Sequence, residues 1–397
     1  MQTPITREIA QLSEGSLWRK VPSLLRFVFR IVSEGRGNEL FFNAVREIRY
    51  AASPPYEDRE AIRFDRSNLT DMNSHLAPQL TALGYRQVTE YTSSEDVKCL
   101  VVGDRLISMT RECLRFYDMR RALLRTVEVD GYLSNFVHVA GRTYFVVDGS
   151  LYSLTGGGDV QNEDLSLSST HSTVLDQGIA ADQYGNLVVA EYKHDALGTS
   201  GAYLYVRRPG EGCWTTVSTL ARRVDKHCHI VVFDSESQVF YVTSGDTRKM
   251  LARLDLRGSQ AKLDILSAGA WKTGGYMCAA PWEGGLMCGT DYTGGTNYLV
   301  SIRDSSIRGK EVLRNPFRRS IVGSIEATGA HLLFAAWNMG HLPKCCNGLL
   351  LKSPNGTRPL CYSDDVWVEF ELFPSADGLV VRGSTQDYRV FGVYHRS

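Results

Sequence analysis

The chain has 397 residues, 44 Lys and Arg against 44 Asp and Glu, and 43% hydrophobic residues. That length allows a large core, while the formal net charge of zero argues against a strongly basic nucleic-acid-binding protein and against an acidic disordered chain. No apolar run reaches the roughly 18 residues of a membrane-spanning helix, so none is predicted.

The first part of the chain, residues 1–58, is predicted to be a helical extension. Residues 16–32 place apolar side chains at helical spacing between Arg19, Arg26 and Arg30, and a second helical stretch covers residues 38–46. Two interpretations stay open for this basic amphipathic helix. It packs its apolar stripe on its own domain, or it makes a peripheral membrane contact.

The cysteines and the first residues bear on the compartment. Nine cysteines stand at irregular spacing, and several, such as Cys99 and Cys278, lie inside apolar runs. Disulfide frameworks usually show an even number of cysteines in loops, so these are predicted to be buried thiols in a reducing environment. The start of the chain shows no apolar secretion signal. Together these features predict a cytoplasmic protein.

From about residue 96 onward, apolar β-rich runs alternate with turns in a repeated unit. Strand starts about 37 to 50 residues apart are typical of the four-stranded blades of a propeller. The predicted fold is therefore all-β, a single seven-bladed β-propeller over residues 59–397. The seven units begin near Cys99, Phe136, Gly178, His229, Tyr276, Ile321 and Val366.

The last unit has three clear strands before the chain ends, so a closed ring needs a fourth strand from elsewhere. Closure by an early segment would avoid an open sheet edge. The segments 48–50 and 61–64 are the candidates.

Propeller geometry predicts where the functional side chains lie. The start of the first strand and the end of the second strand of every blade converge on one funnel. The predicted catalytic residues there are His227, His229, Tyr292, Glu191 and Asp246. The predicted substrate-binding residues are Arg248, Arg382, Asp291, Asn338, Trp337, Tyr192, Lys226 and Arg111. Acids, imidazoles and guanidinium groups in one funnel suit an acid–base site or an anion site.

His227 and His229 form the strongest single feature because, at i and i+2 of a strand, they project to the same side. Three interpretations stay open. The pair acts in acid–base chemistry without a metal, it binds a divalent metal with a neighbouring carboxylate, or it is structural. No cofactor is predicted to be required.

The blade pattern resembles the sialidase-like or BNR-type propellers of bacteria. The resemblance rests on Gly178-Ile-Ala-Ala-Asp with Glu191-Tyr192, and on His227-x-His229 followed by Asp246. The Asp-box of that family is incomplete here, since the segment before Trp214 lacks its Ser and Asp, and no arginine triad can be mapped. The resemblance implies a glycan-associated propeller. It also extends in outline to seven-bladed polysaccharide lyases that use His, Tyr and Arg on one face.

The sequence therefore predicts an enzyme that acts in the central funnel on a small molecule or oligosaccharide, such as a uronate-containing glycan. A lyase would use His227 or His229 as base and Tyr292 as acid, with Arg248 and Arg382 holding the carboxylate. A hydrolase would use carboxylates such as Glu191 and Asp246. The alternatives are a non-catalytic scaffold that binds a ligand or a protein, and a biosynthetic cyclase or isomerase with a hydrophobic substrate. The oligomeric state stays open.

Overall fold

The computed structural model describes residues 61–155, 158–193, 202–217, 227–245, 250–268, 275–292, 296–313, 316–338 and 345–396. The predicted helical extension over residues 1–58 and the candidate closing segment 48–50 lie outside the described residues. Within the described part of the chain, no helix is both long enough and apolar enough to cross a membrane.

Four elements precede the first blade in sequence. They are β1 (Ile62–Arg63), a 3-10 turn (Leu69–Asp71), helix α1 (Met72–Thr81) and β2 (Tyr85–Ser93). Helix α1 buries Met72, Leu76 and Leu80, which stand four residues apart and so share one face. This face packs against the last two blades, in one apolar cluster with Phe370 and Tyr394.

Seven antiparallel sheets follow, as the repeat predicted. Each begins with the strand that lines the central channel. The strands of blades one to three are β3 (Lys98–Val102), β4 (Arg105–Met109), β5 (Cys113–Asp118) and β6 (Leu123–Glu128); β7 (Leu133–Val139), β8 (Arg142–Val147), β9 (Ser150–Leu154) and β10 (Val160–Ser166); then β12 (Ile179–Ala181), β13 (Leu187–Ala190), β15 (Leu204–Arg207) and β16 (Thr215–Val217).

Blades four to six complete most of the ring. Their strands are β17 (His227–Asp234), β18 (Val239–Gly245), β19 (Met250–Asp255) and β20 (Lys262–Ala268); β21 (Tyr276–Trp282), β22 (Gly285–Thr290), β23 (Tyr298–Arg303) and β24 (Ser306–Val312); then β25 (Ile321–Thr328), β26 (His331–Trp337), β27 (Asn347–Ser353) and β28 (Gly356–Ser363).

Blade seven joins the two ends of the described chain. Its strands are β29 (Glu369–Pro374), β30 (Gly378–Ser384), β31 (Arg389–Arg396) and, outermost, β2. Strand β2 runs antiparallel to β31 from Tyr85 opposite Arg396 to Ser93 opposite Arg389. A strand from the N-terminal side thus closes the ring.

The candidate segment 61–64 does not form the closing strand. Strand β1 lies parallel to β28, with Ile62 opposite Cys361, and so extends blade six instead. The physical reason is length. Strand β2 has nine residues and covers nearly all of the eight-residue β31, whereas β1 has only two.

Buried strands fill the spaces between neighbouring blades with side chains from both faces. In β13, Val188 and Ala190 belong to the apolar cluster shared with blade four, whereas Leu187 and Val189 belong to the cluster shared with blade two. Alternate residues of a strand point to opposite faces, so a strand buried on both faces is apolar throughout. This packing holds the inner strands in position around the channel.

Candidate functional site

The inner strands of four blades carry the same irregularity at the channel. One extra residue interrupts the pairing near the start of the strand, at Ser134, His229, Met277 and Gly323. A β-bulge of this kind bends the strand and turns one side chain away from the regular alternation. Ser134, Met277 and Gly323 all line the central cavity. The bulges thus help to shape the channel wall.

A cavity of about 300 Å³ occupies the centre of the ring. Five acidic or basic side chains line it, from blades one and seven and from the segment before blade three: Lys98, Arg111, Asp176, Glu371 and Arg382. Burying ionised groups is costly unless they are paired, so this cluster needs a physical explanation.

Lys98 and Asp176 form the first ion pair of the cavity wall. Lys98 is only 4% exposed, and its ammonium group donates to Asp176 Oδ1, to Asn135 Oδ1 at 3.1 Å and to the carbonyl of Phe136 at 2.6 Å. Asn135 Nδ2 also donates to Asp176 Oδ1, at 3.1 Å. Burial alone would raise the pKa of Asp176, but the charge of Lys98 and these hydrogen bonds outweigh burial and lower it. Asp176 is therefore ionised at neutral pH.

Asp176 is nevertheless open to the cavity. Protein surrounds the residue, yet 41% of its side-chain surface is exposed, because that surface faces the central space. All hydrogen bonds that the described residues make to its carboxylate go to Oδ1. Oδ2 therefore provides an acceptor for a molecule in the channel.

Glu371 and Arg382 form the second ion pair. Arg382 donates to Glu371 Oε2 and to the carbonyl of Val97. Burial raises the pKa of Glu371 to about 7, and the negative charge of Asp176 adds to this, whereas the charges of Arg382 and Lys98 oppose it. At neutral pH this carboxyl group is therefore divided between its two protonation states.

Arginines concentrate at the mouth of the cavity between blades seven and one. Arg111 is exposed, donates to the carbonyl of Ser134 at 3.2 Å, and lies 5.2 Å from the ring centroid of Tyr132. Burial and the positive charges of Arg382 and Arg111 lower the pKa of Arg389. Three guanidinium groups therefore act on one another here, and an anion would relieve their repulsion.

Gln177 fixes the segment that carries Asp176. Its side-chain amide donates to the carbonyl of Ala279 at 2.6 Å and accepts from the amide of the same residue at 2.7 Å. Its own carbonyl accepts from the amide of Val231 at 2.7 Å. Because Ala279 and Val231 lie on the inner strands of blades five and four, the position of Asp176 is tied to two other blades.

The predicted histidine pair lies at the inner edge of blade four. The His227 and His229 rings are nearly parallel, 6.2 Å apart, and Tyr192 stacks on His227 at 4.2 Å. His229 Nδ1 lies 3.5 Å from Asp291 Oδ2. Both imidazoles are buried, and Cys228 points into the core of the blade. The two rings share one side of the strand, and a carboxylate from blade five meets one of them.

Two short strands extend blade four across the channel on this face. Strand β14 (Tyr192–Lys193) pairs with His227, and β11 (Ser172–Thr173) pairs with β14. Thr173 Oγ1 is 2.6 Å from Ser134 Oγ of blade two. This strand bridge places Tyr192 over the histidines and covers the sector between blades two and four.

Three other predicted residues, Glu191, Asn338 and Tyr292, form hydrogen bonds with neighbouring loops. Glu191 is fully buried, and its carboxylate accepts hydrogen bonds from the amide and hydroxyl of Ser168 and from the amide of Tyr203. Glu191 therefore holds two loops together. It was predicted to face the funnel, and it does not. The buried Asn338 donates to the carbonyl of Cys345 at 3.3 Å, and the Tyr292 amide donates to Asn297 Oδ1 at 2.6 Å.

Of the predicted substrate-binding residues, Arg111, Trp337 and Arg382 line the cavity. Lys226, Asp246 and Arg248 lie outside the described residues. The described residues contain no group of three or more His, Cys, Asp or Glu side chains arranged to hold a metal.

Sequence reasoning missed Lys98, Asn135, Asp176, Gln177 and Glu371. Lys98 starts an inner strand and Asp176 stands shortly before the inner strand that begins at Ile179, so the rule that selected His227 could have found both. Glu371 lies in the middle of the inner strand β29, whereas the rule considered only the ends of strands. The pairing of Lys98 with Asp176, 78 residues apart, depends on the closed ring.

Comparisons with known proteins support the fold. No family model and no curated protein sequence matches the chain. Among solved structures, PorZ, a surface component of the type-IX secretion system of Porphyromonas gingivalis, is similar with a TM-score of 0.51 at 14% identity over 76% of this chain. This chain spans only 46% of PorZ.

Two further solved structures match with similar TM-scores. The β-propeller domain of Cps50 (Swd1) from Myceliophteria thermophila matches with a TM-score of 0.51 at 10% identity, over 79% of this chain and 100% of that domain. The AfRom2 CNH domain matches with a TM-score of 0.52 at 8% identity, over 78% and 98% of the two chains. At these identities the likeness shows a shared propeller fold and nothing about function.

Proposed function

We propose that the central channel binds a small anionic molecule through a carboxylate or a similar planar oxyanion. The observation that carries the proposal is the charge of the cavity lining. Lys98, Arg111 and Arg382 provide three cationic groups against the two carboxyl groups of Asp176 and Glu371. Arg389 adds a further positive charge close enough to interact with Arg382 and Arg111.

The size of the cavity suits a small ligand. At about 300 Å³ it lies at the lower end of the range of small-molecule sites, roughly 300–1,000 Å³. Arginine is suited to the proposed ligand because its planar fork matches the geometry of a carboxylate. Arg111 is exposed at the mouth, which makes it the first cation that an incoming anion would meet.

The finer proposal is an acidic sugar of the uronate type. Such a molecule brings a carboxylate for the arginines, hydroxyl groups for Asp176 and Asn135, and an apolar ring face for Trp337. All of these side chains line the cavity. The resemblance to sialidase-like propellers points to the same class of ligand.

A second question is whether the protein also converts the bound ligand chemically. The lyase hypothesis relies on His227 and His229, which are buried and are not among the described residues that line the cavity. The contact of His229 with Asp291 at 3.5 Å, a base beside a carboxylate that could orient it, is the observation in its favour. The same fold is equally compatible with a propeller that binds the ligand without converting it, or with one that binds a protein on the same face. Binding is therefore tested first and turnover separately.

Titration calorimetry with glucuronate, galacturonate and N-acetylneuraminate, with glucose as the neutral comparison, tests the binding. We expect at least one acid to bind, with an affinity that falls as salt is added. Arg111→Gln should weaken it about tenfold or more, because a charged hydrogen bond is worth roughly 1.5–3 kcal/mol.

Arg105→Gln is the matched control. Arg105 stands at the other end of β4, on the opposite face of the propeller, and its side chain is 62% exposed. This variant should bind like the wild-type protein. Equal affinity for glucose and the acids, or equal loss in the two variants, would contradict an anion site at the channel mouth.

A further inference from the structure

We propose that Glu371 and Asp176 form the general acid and general base of a glycoside-hydrolysing site in the channel. This inference rests on the proposed function, since it takes an acidic glycoside as the substrate. It differs from the sequence-based hydrolase hypothesis, which assigned these roles to Glu191 and Asp246.

The placement of the two groups is the first argument. Asp176 precedes the inner strand of blade three and Glu371 lies on the inner strand of blade seven, yet both line the same cavity. Their charges act on each other, because the negative charge of Asp176 raises the pKa of Glu371. A substrate in the cavity therefore meets two carboxyl groups, the number that glycoside hydrolysis requires.

The orientation of the two groups is the second argument. Lys98 and Asn135 hold one oxygen of Asp176, and Arg382 holds Oε2 of Glu371. Each carboxyl group thus has one oxygen fixed to the wall. Fixing one oxygen in this way preorganises the other for proton transfer, with little rearrangement on binding.

Asp176 and Glu371 also have different surroundings, and these shift their pKa values in opposite directions. Asp176 has a direct cation and an amide donor, which lower its pKa, whereas burial raises the pKa of Glu371 to about 7. Two carboxyl groups in one site whose environments separate their pKa values are assigned to different roles. Glu371 is the group that can deliver a proton at neutral pH, and Asp176 is the group that can accept one.

The reaction balances with water as the only co-reactant. Asp176 accepts a proton from a water molecule as the water oxygen forms a bond to the anomeric carbon. The bond from that carbon to the leaving-group oxygen breaks, and its electron pair remains on that oxygen. Glu371 transfers its proton to the same oxygen. The products are the free acidic sugar and an alcohol.

The other side chains of the cavity would determine which glycoside reacts. Arg111 and Arg389 at the mouth meet the carboxylate of the sugar, and Trp337 offers an apolar face to its ring. The strand bridge formed by β11 and β14 covers the sector between blades two and four. The sugar would therefore enter with its carboxylate on the side of blades seven and one.

The test measures release of 4-methylumbelliferone from the glycosides of glucuronate, galacturonate and N-acetylneuraminate, with the glucoside as neutral comparison. We expect turnover of an acidic glycoside and at least about tenfold less of the glucoside. Glu371→Gln and Asp176→Asn should each lower kcat by about 10²-fold or more. Asp104→Asn, at a side chain that is 94% exposed, should leave kcat unchanged.

A second substrate separates the roles. A methyl glycoside of the same sugar has a poorer leaving group, so it depends more on the proton from Glu371. Glu371→Gln should therefore lose more activity on the methyl glycoside than on the aryl glycoside, whereas Asp176→Asn should lose similar amounts on both. A purely structural role of Glu371 would not produce this difference.

The outcomes distinguish this inference from the proposed function. Calorimetric binding of an acidic sugar without turnover of any acidic glycoside overturns the inference and leaves the binding function standing. If neither binding nor turnover is seen, the proposed function and this inference are both overturned. Wild-type turnover in either Glu371→Gln or Asp176→Asn overturns the assignment of the two residues as general acid and general base. If Glu371→Gln does not fold, the wild-type profile decides: kcat/KM should fall above about pH 7, and a flat profile to pH 9 overturns the role of Glu371.

Discussion

Glu371 carries a carboxyl group in the interior of the channel, and its protonation should affect the stability of the fold. Burial raises the pKa of Glu371 to about 7 in the folded protein, compared with about 4.3 in an unfolded chain. The folded state therefore holds the proton over a pH range in which the unfolded state has lost it. The contribution is fully present below pH 4.3 and is lost as the pH rises to 7.

Glu371→Gln removes this dependence. Between pH 5 and pH 8 the free energy of unfolding of the wild-type protein should fall relative to that of the variant, by on the order of 2 kcal/mol. Asp176 is present in both proteins, so its opposite contribution largely cancels in the comparison. Urea denaturation at the two pH values measures the difference. A constant difference between the two proteins would show that Glu371 titrates normally.

Individual residues also show how far the sequence could predict the site. The strand period of two predicted His227 and His229 on one side of the strand and Cys228 in the core. Their rings do lie 6.2 Å apart, but His229 is the extra residue of a bulge, so the regular alternation on which the prediction rested is interrupted there. The same reasoning placed Glu191 in the funnel, where the structure instead buries it among loop amides. A local pattern does not show where a bulge interrupts a strand, and it does not show whether a charged group is already paired with a residue distant in sequence.

At the scale of elements, the bulges of the inner strands explain why a glycine stands in the channel wall. Gly323 is the extra residue in β25, and the indole of Trp337 packs directly against it. A Cβ atom at this position would lie 2.4 Å from the nearest indole carbon. The indole is held from its other end, because Nε1 donates to the carbonyl of Phe370 at 2.5 Å.

Gly323→Ala should therefore displace Trp337 and destabilise blade six. We expect a loss of about 1–3 kcal/mol, the usual effect of overpacking, together with a change in tryptophan fluorescence. Gly212→Ala is the control, since nothing lies within 4 Å of a Cβ atom there. Equal melting temperatures for the two variants would mean that the indole moves away from Gly323 without cost.

The elements themselves were largely predictable, and their connections were less so. Apolar runs and turns gave the inner strands of all seven blades, because each blade repeats the same local pattern. The pattern did not identify β2 as the closing strand, since Tyr85–Ser93 alternates buried and exposed residues only along part of its length. The bulges were also not predicted, because an extra residue in a strand appears only when its partner strand is known.

At the scale of the whole molecule, closure by β2 joins the two ends of the described chain into one ring. Tyr91 of β2 stacks on Phe391 of β31 with ring centroids 4.7 Å apart. The guanidinium of Arg121, from blade one, lies 3.3 Å from the centroid of the Tyr91 ring. Tyr91 therefore connects the closing strand both to the last strand and to the first blade.

Tyr91→Ala should weaken the closure and, through it, the whole ring. Loss of the stacked ring and of the cation–π contact should lower the free energy of unfolding by about 2–4 kcal/mol. Because the blades share continuous cores, we expect the unfolding transition to shift to lower temperature as one step. Tyr184→Ala, at a tyrosine that is 61% exposed, should leave it unchanged. Scanning calorimetry distinguishes these outcomes, and a separate early transition in Tyr91→Ala would show that blade seven opens independently of the other blades.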